Sequence, residues 1–324
     1  MTFTGRGLYA ASSKEPRRRS GWLLIGAVLA LAVLVGGALL SFDSVQLGGD
    51  SRTEEFPDAE AIELSNNTSG DIAVYHVPGD AIVVKRTLQS TPLAEPEASA
   101  SMERGTLSAE ADCGGVWFLG GCEADYSIGV PEGTEVNIDA SSGDVELEGI
   151  TGAVDVEAGS GSIAGENLTG DIRAATTTGE IELDDVEGDL ETESTTGSIS
   201  AEGSGGTVAA DTTTGQVDLG EFTAESFDVE TTTGTVDLEA GFDRARIETT
   251  TGSVELEALE SFDSLEVDTT TGSVDVQVPE DSYRVDGDST TGERDISVDT
   301  AAGGGGPRIA VSTTTGSVSV SADD

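Results

Sequence analysis

Residues 141–163 read SSGDVELEGITGAVDVEAGSGSI, and residues 176–183 read TTTGEIEL. Glycine returns every nine positions, at 143, 152, 161, 170, 179, 188, 197, 206 and 215. Two residues after each glycine stands an aliphatic side chain: Val145, Val154, Ile163, Ile172, Ile181, Leu190, Ile199, Val208 and Val217. Four residues after it the side chain is usually apolar again, as at Leu147, Val156, Leu183 and Leu219, with Gly165 and Thr192 as exceptions. This alternation is the period-two pattern of a strand that buries one face.

The seventh position after glycine separates two kinds of repeat. It is Ile150, Leu168, Val186, Ser204 and Phe222 after alternate glycines, and Gly159, Thr177, Thr195 and Thr213 after the others. The unit is therefore a coil of about 18 residues with unlike halves, one of them ending in a Thr-Thr-Gly or Thr-Thr-Thr-Gly corner. The corner recurs at Gly234, Gly252, Gly272, Gly292 and Gly316 with small insertions between. A strand with one apolar stripe cannot bury it alone, but coils stacked at ~4.8 Å pool their stripes into one interior. The pattern predicts an all-β fold, a β-solenoid with coils of about 18 residues over residues 141–324. Corner glycine is expected to supply positive φ, and stacked threonine hydroxyls to bond along the ladder.

Outward positions are acid-rich, for example Asp144, Glu146, Glu148, Glu180, Glu182 and Asp184. The chain holds 62 acids against 15 bases, a net charge of −47. Five of the bases (Arg6, Lys14, Arg17, Arg18, Arg19) and one acid (Glu15) precede residue 41, leaving 61 acids and 10 bases, net −51, for residues 41–324. Such a surface repels phosphate and excludes a nucleic-acid partner. At ~1 M salt the Debye length falls to ~3 Å and the self-repulsion largely disappears, so the composition reads as an adaptation to high salt.

Gly21 to Leu40 reads GWLLIGAVLALAVLVGGALL, without a charge or proline and long enough to cross the ~30 Å hydrocarbon core as a helix. Arg17, Arg18 and Arg19 precede it, so the positive-inside rule keeps residues 1–20 in the cytoplasm and sends the rest outside the cell. A cleaved signal peptide shares the basic and apolar pattern. The length of the apolar run and the lack of a small-x-small site before Phe42 favour a retained transmembrane helix. Either way the large domain is exported, with the membrane as partner through residues 21–40 in the anchored case.

Residues 41–56 read as a polar spacer, and residues 57–140 as an N-terminal β region. Strands are expected at 61–64, 71–75, 81–85 and 126–130, and a surface loop at 90–105. Cys113 and Cys122 bracket GGVWFLGG, a loop short enough for a disulfide. Zinc is the alternative there, but it needs more ligands, and the single histidine, His76, is a poor candidate. Asn66, Asn67 and Asn167 head Asn-x-Ser/Thr triplets and are candidate glycan acceptors on an exported chain.

Nonapeptide glycine repeats also occur in calcium-binding β-rolls, but this chain has one glycine per nine and no aspartate at the needed offset. A polysaccharide-active β-helix would need paired carboxylates or a carboxylate with a basic partner, and aromatic platforms. Between Ser141 and Asp324 there is no Trp, Lys, His or Cys, and the arginines share no common frame. We therefore assign no catalytic residue, cofactor or dedicated metal site.

The stretch SSGDVELEGITGAVDVEAGSGSI, followed by TTTGEIEL and preceded by CEADYSIGVPEGTEVNI, resembles the putative-adhesin family of β-strand-repeat proteins, as a haloarchaeal-type member. The resemblance covers residues 60–324 and implies a right-handed β-helix-like fold without catalytic residues, assigned to adhesion. The coil at Gly292 departs from the pattern, with Arg294 at the aliphatic position. The reading is a non-enzymatic, membrane-anchored cell-surface protein, an adhesin-like stalk or binding surface whose partners are cell-surface glycans or proteins. The alternative is a self-assembling scaffold, because Ser317–Ser321 is expected at an open edge without an apolar cap. The residues do not fix an oligomeric state.

Overall fold

The computed structural model describes residues 50–90, 94–115, 121–301 and 305–322. The expected cytoplasmic tail 1–20, transmembrane helix 21–40 and residues 41–49 of the expected spacer lie outside them. Every regular element among the described residues is a strand.

The repeat builds a stack of two-armed coils. Val154, in the arm Val154–Ser160, pairs in parallel with Val136 on one side and Ile172 on the other. In the opposite arm Ile163 pairs with Val145 and Ile181. Each residue thus lies beside its equivalents 18 positions away, as the doubled repeat requires. Val154, Val156 and Ala158 point inward from one arm, and Ile163, Gly165 and Leu168 from the other. The hydrogen-bond ladder continues around the corners, with Gly161 N donating to Thr178 O at 3.0 Å and Gly170 N to Glu187 O at 2.9 Å.

The seventh-position residue turns inward through a bulge. Asn167 and Asp185 adopt φ of 56° and 55°, and the residues after them, Leu168 and Val186, are wholly buried. One level further the bulge is shorter, so Gly203 pairs with Val186 and Phe222, and Ser204 is exposed instead of inward. Phe222 begins an interior aromatic column with Phe227, Phe242, Phe262 and Tyr283, ring centroids 5.2–6.2 Å apart.

The corner glycines are fixed by crowding as much as by φ. Gly143 and Gly161 do sit at φ of 110° and 135°. At Gly179, Gly215 and Gly234 the backbone lies outside the left-handed region, yet a Cβ there would overlap the carbonyl oxygen of the corner glycine one level below. The expected ladder of threonine hydroxyls is also different. Thr176 and Thr212 are buried and donate to the corner carbonyls of Gly161 and Gly197, at 3.2 and 3.3 Å, rather than to the hydroxyl of Ser194, their ladder neighbour.

The order of coils departs from the order of the chain at both ends. The arm Ser264–Thr271 pairs not with the next coil in sequence but with Arg308–Thr315, which in turn pairs with Ser282–Thr291. In the other arm Val318–Ala322 lies between Val274–Val278 and Arg294–Ser297. The expected open edge at Ser317–Ser321 is therefore an interior strand paired on both sides. Coil 282–297 caps the stack, and Arg294 is exposed there: among the described residues its strand pairs only with Val318–Ala322.

At the opposite end Ala61–Asn66 is held between Thr106–Gly115 and Glu135–Ala140, and Ile72–His76 between Glu123–Val130 and Val145–Glu148. The pairing runs on across residue 140, with Ala61–Asn66 against Glu135–Ala140 and Ile72–His76 against Val145–Glu148. Two antiparallel covers finish this end. Ala94–Glu103, expected as loop, pairs with Thr106–Gly115 through a two-residue turn in which Arg104 and Gly105 both have positive φ, the type I′ geometry suited to a hairpin. Asp50–Pro57, whose residues 50–56 were expected as spacer, pairs with Ala81–Gln89. Both covers are polar on their outward side and alternate weakly, so neither shows the strong apolar stripe of a central strand.

Candidate functional site

The stack presents its outward side chains in straight rows, because each level repeats the one below in register. On the threonine arm Asp211, Glu230, Glu248 and Asp268 follow one another as ladder partners. They border an open groove of about 420 Å³ that also includes Thr232, Thr250 and Thr270. Arg246 lies in this face, 4.0 Å from Glu230 and in contact with Glu248. Arg173 likewise contacts Glu191 and lies 3.6 Å from Glu193. Hydrogen bonding to Glu191 raises the Arg173 pKa.

The second arm carries its own row, Asp218, Asp237, Glu255 and Asp275. Burial, followed by the charge of Asp237, pushes the Asp218 carboxyl above its ordinary value. Adjacent like charges at ladder spacing repel by about 1 kcal/mol in bulk water. Such rows attract a diffuse cloud of cations and repel anionic partners. Among the described residues no group of three His, Cys, Asp or Glu is placed to hold a metal ion.

Cys113 and Cys122 are joined as a disulfide, with Cα atoms 5.9 Å apart. It ties the end of Thr106–Gly115 to the start of Glu123–Val130, the two arms of the outermost parallel level at this end. Beneath the antiparallel cover sits a residue that the sequence reading did not single out. Arg86 continues the inward alternation of Ile82 and Val84, is 7% exposed, and meets Glu54 at 3.5 Å. It pairs across the strands with Tyr126, whose hydroxyl is raised in pKa by burial and held back in part by the guanidinium charge. The only sequence signal for Arg86 was its place in the strand's alternation.

The three candidate glycan acceptors have unlike surroundings. Asn66 is fully buried; its Nδ2 donates to the carbonyls of Gly70 and Ala124 at 3.1 Å each, and its Oδ1 accepts from Thr68 N and Oγ1. It is a structural residue joining two levels, and its carboxamide is engaged inside the stack. Asn67 is exposed, but its Nδ2 donates to Asp112 at 3.0 Å and its Oδ1 accepts from Ser141 at 3.2 Å. Asn167 stands exposed on the left-handed bulge.

Stacked two-armed coils with antiparallel end covers define an all-β, solenoid-like domain. The chain belongs to the Toastrack DUF4097 family, whose profile matches residues 57–321. Solved structures similar to it include a putative adhesin from Bacteroides fragilis NCTC 9343, 12% identical over 86% of this chain and 98% of that one, with a TM-score of 0.37. A putative lipid binding protein from Parabacteroides distasonis ATCC 8503 is 14% identical over 86% and 98%, with a TM-score of 0.40. A putative adhesin from Parabacteroides merdae ATCC 43184 is 11% identical over 86% and 97%, with a TM-score of 0.40. No curated protein matches the chain.

Proposed function

We propose that this chain is a non-enzymatic, membrane-anchored cell-surface protein whose stack serves outside the cell as a stiff, acidic stalk or binding surface. The observation that carries this reading is the continuous parallel ladder with in-register carboxylate rows on both arms. A body hydrogen-bonded level to level resists bending, and a regular row repeats one contact many times along its length. The sequence supplies the anchor through Arg17–Arg19 and the apolar run 21–40.

The same rows support the high-salt reading, since a net charge of −51 beyond residue 40 is tolerated best where counter-ions screen it. Partners that fit are neutral glycans and proteins with basic patches. Intact cells treated with a membrane-impermeant amine reagent test the topology. Labelling of Lys85, the one lysine beyond residue 40, supports the reading, and labelling only after lysis sinks it. Binding of the purified protein to a panel of surface glycans, with turnover measured in parallel, tests the rest. Released product would make it an enzyme and overturn the proposal.

A further inference from the structure

Of the three asparagine triplets, one is arranged as an acceptor, and we propose that Asn167 is the N-glycosylation site of this protein. The inference rests on the exterior location proposed above. Asn167 belongs to Asn167-Leu168-Thr169 and lies in the bulge, left out of the ladder between Glu166, which pairs with Asp184, and Leu168, which pairs with Val186. Leu168 is wholly buried and anchors the triplet, while Asn167 and Thr169 on either side are exposed. The carboxamide's contact with protein is a 3.3 Å bond from Nδ2 to the exposed Glu166 carboxylate, which solvent or a sugar replaces at little cost.

The other two triplets are engaged by the fold. Asn66 uses its Nδ2 inside the stack, and Thr68, the hydroxyl residue of its triplet, is buried and accepts from Ala124 N at 3.0 Å. Asn67 spans two levels through Asp112 and Ser141, and the hydroxyl of Ser69 in its triplet donates to Cys122 O at 3.1 Å. Glycan on either would break contacts that close the end of the stack.

Beside Asn167 runs an open groove of about 440 Å³ bordered by Thr169, Asp185, Glu187, Glu202 and Ser204. These oxygens accept hydrogen bonds from sugar hydroxyls. The donor class is a lipid-linked oligosaccharide. The bond from sugar C1 to the carrier's phosphate oxygen breaks, a bond from C1 to Asn167 Nδ2 forms, Nδ2 loses one proton, and the lipid phosphate departs with the electron pair. No oxidation or reduction occurs.

The test is mass spectrometry of Glu-specific digests of the full-length protein, purified from the membrane of its native host after surface labelling. The expected result is a sugar mass increment on the peptide containing Asn167 and none on the peptide with Asn66 and Asn67. The increment is lost in both N167Q and T169A; T169A leaves the left-handed asparagine in place, so loss there is not a folding effect. A bare Asn167 on surface-labelled protein overturns the proposal while the exterior reading stands. A bare Asn167 on protein labelled only after lysis overturns both.

Discussion

At a corner of the stack each glycine meets a carbonyl oxygen from the level below, and the residue is set by that approach. Gly215 shows it most plainly, because its φ imposes no demand for glycine while its missing Cβ leaves room for Gly197 O. Gly215→Ala must separate two levels and is expected to cost about 1–3 kcal/mol, read as a fall in the midpoint of urea unfolding. Threonines beside the corners divide into two kinds. Thr176 donates to Gly161 O, whereas the buried hydroxyl of Thr249 has no partner among the described residues. Replacing each with valine should therefore move stability in opposite directions, down by about 1 kcal/mol at Thr176 and up at Thr249.

Asp218 adds a pH dependence of known sign. Its folded pKa is raised, so its contribution to stability is present below the unfolded aspartate pKa and lost as pH rises through the folded value. Asp218→Asn should raise the melting temperature at neutral pH, with the gain shrinking as pH falls into the aspartate range. A gain that persists unchanged in acid would contradict this.

Among the elements, the C-terminal coil decides how the stack is read. Ile309, Val311, Val318 and Val320 form a complete inward stripe and are at most 2% exposed, as suits a coil covered on both faces. Coil 282–297 has Gly287 and the exposed Arg294 at matching positions, as suits a coil covered on one. Disulfide trapping separates this order from the sequential one. Ala310 pairs with both Glu266 and Asp286, so Glu266 and Asp286 stand two levels apart, ~9.6 Å. A Glu266→Cys, Ala310→Cys pair should cross-link, and a Glu266→Cys, Asp286→Cys pair, beyond the ~7 Å limit, should not. The reverse outcome would restore chain order.

Much of this was legible in residues. The inward aliphatics after glycine, the 18-residue period and the disulfide spacing follow from side-chain periodicity and loop length, which are local. The exchange of the last two coils was not, because all coils carry interchangeable stripes and local pattern does not choose which coil stacks on which. Arg294 carried the signal, since a charge at an inward position marks a level with no neighbour. Ala94–Glu103 and Asp50–Pro57 were missed because a cover strand buries only small or isolated apolar residues such as Ala98 and Phe56. The exposure of Asn167 was hidden in the bulge that its own left-handed backbone creates.

At the scale of the whole molecule, the interior is common to any solenoid and the surface is what distinguishes this one. Two arms of stacked carboxylates give a body whose cohesion is apolar and whose opposition is electrostatic, so solvent ions set the balance between them. The most direct measurement is the melting temperature of the unit 46–324, followed by circular dichroism as sodium chloride is varied. Between ~0.01 M and ~1 M the Debye length falls from ~30 Å to ~3 Å. The account predicts a melting temperature that climbs steeply over that range, with the strand signal already weakened at its lower end. A melting temperature independent of salt would contradict it.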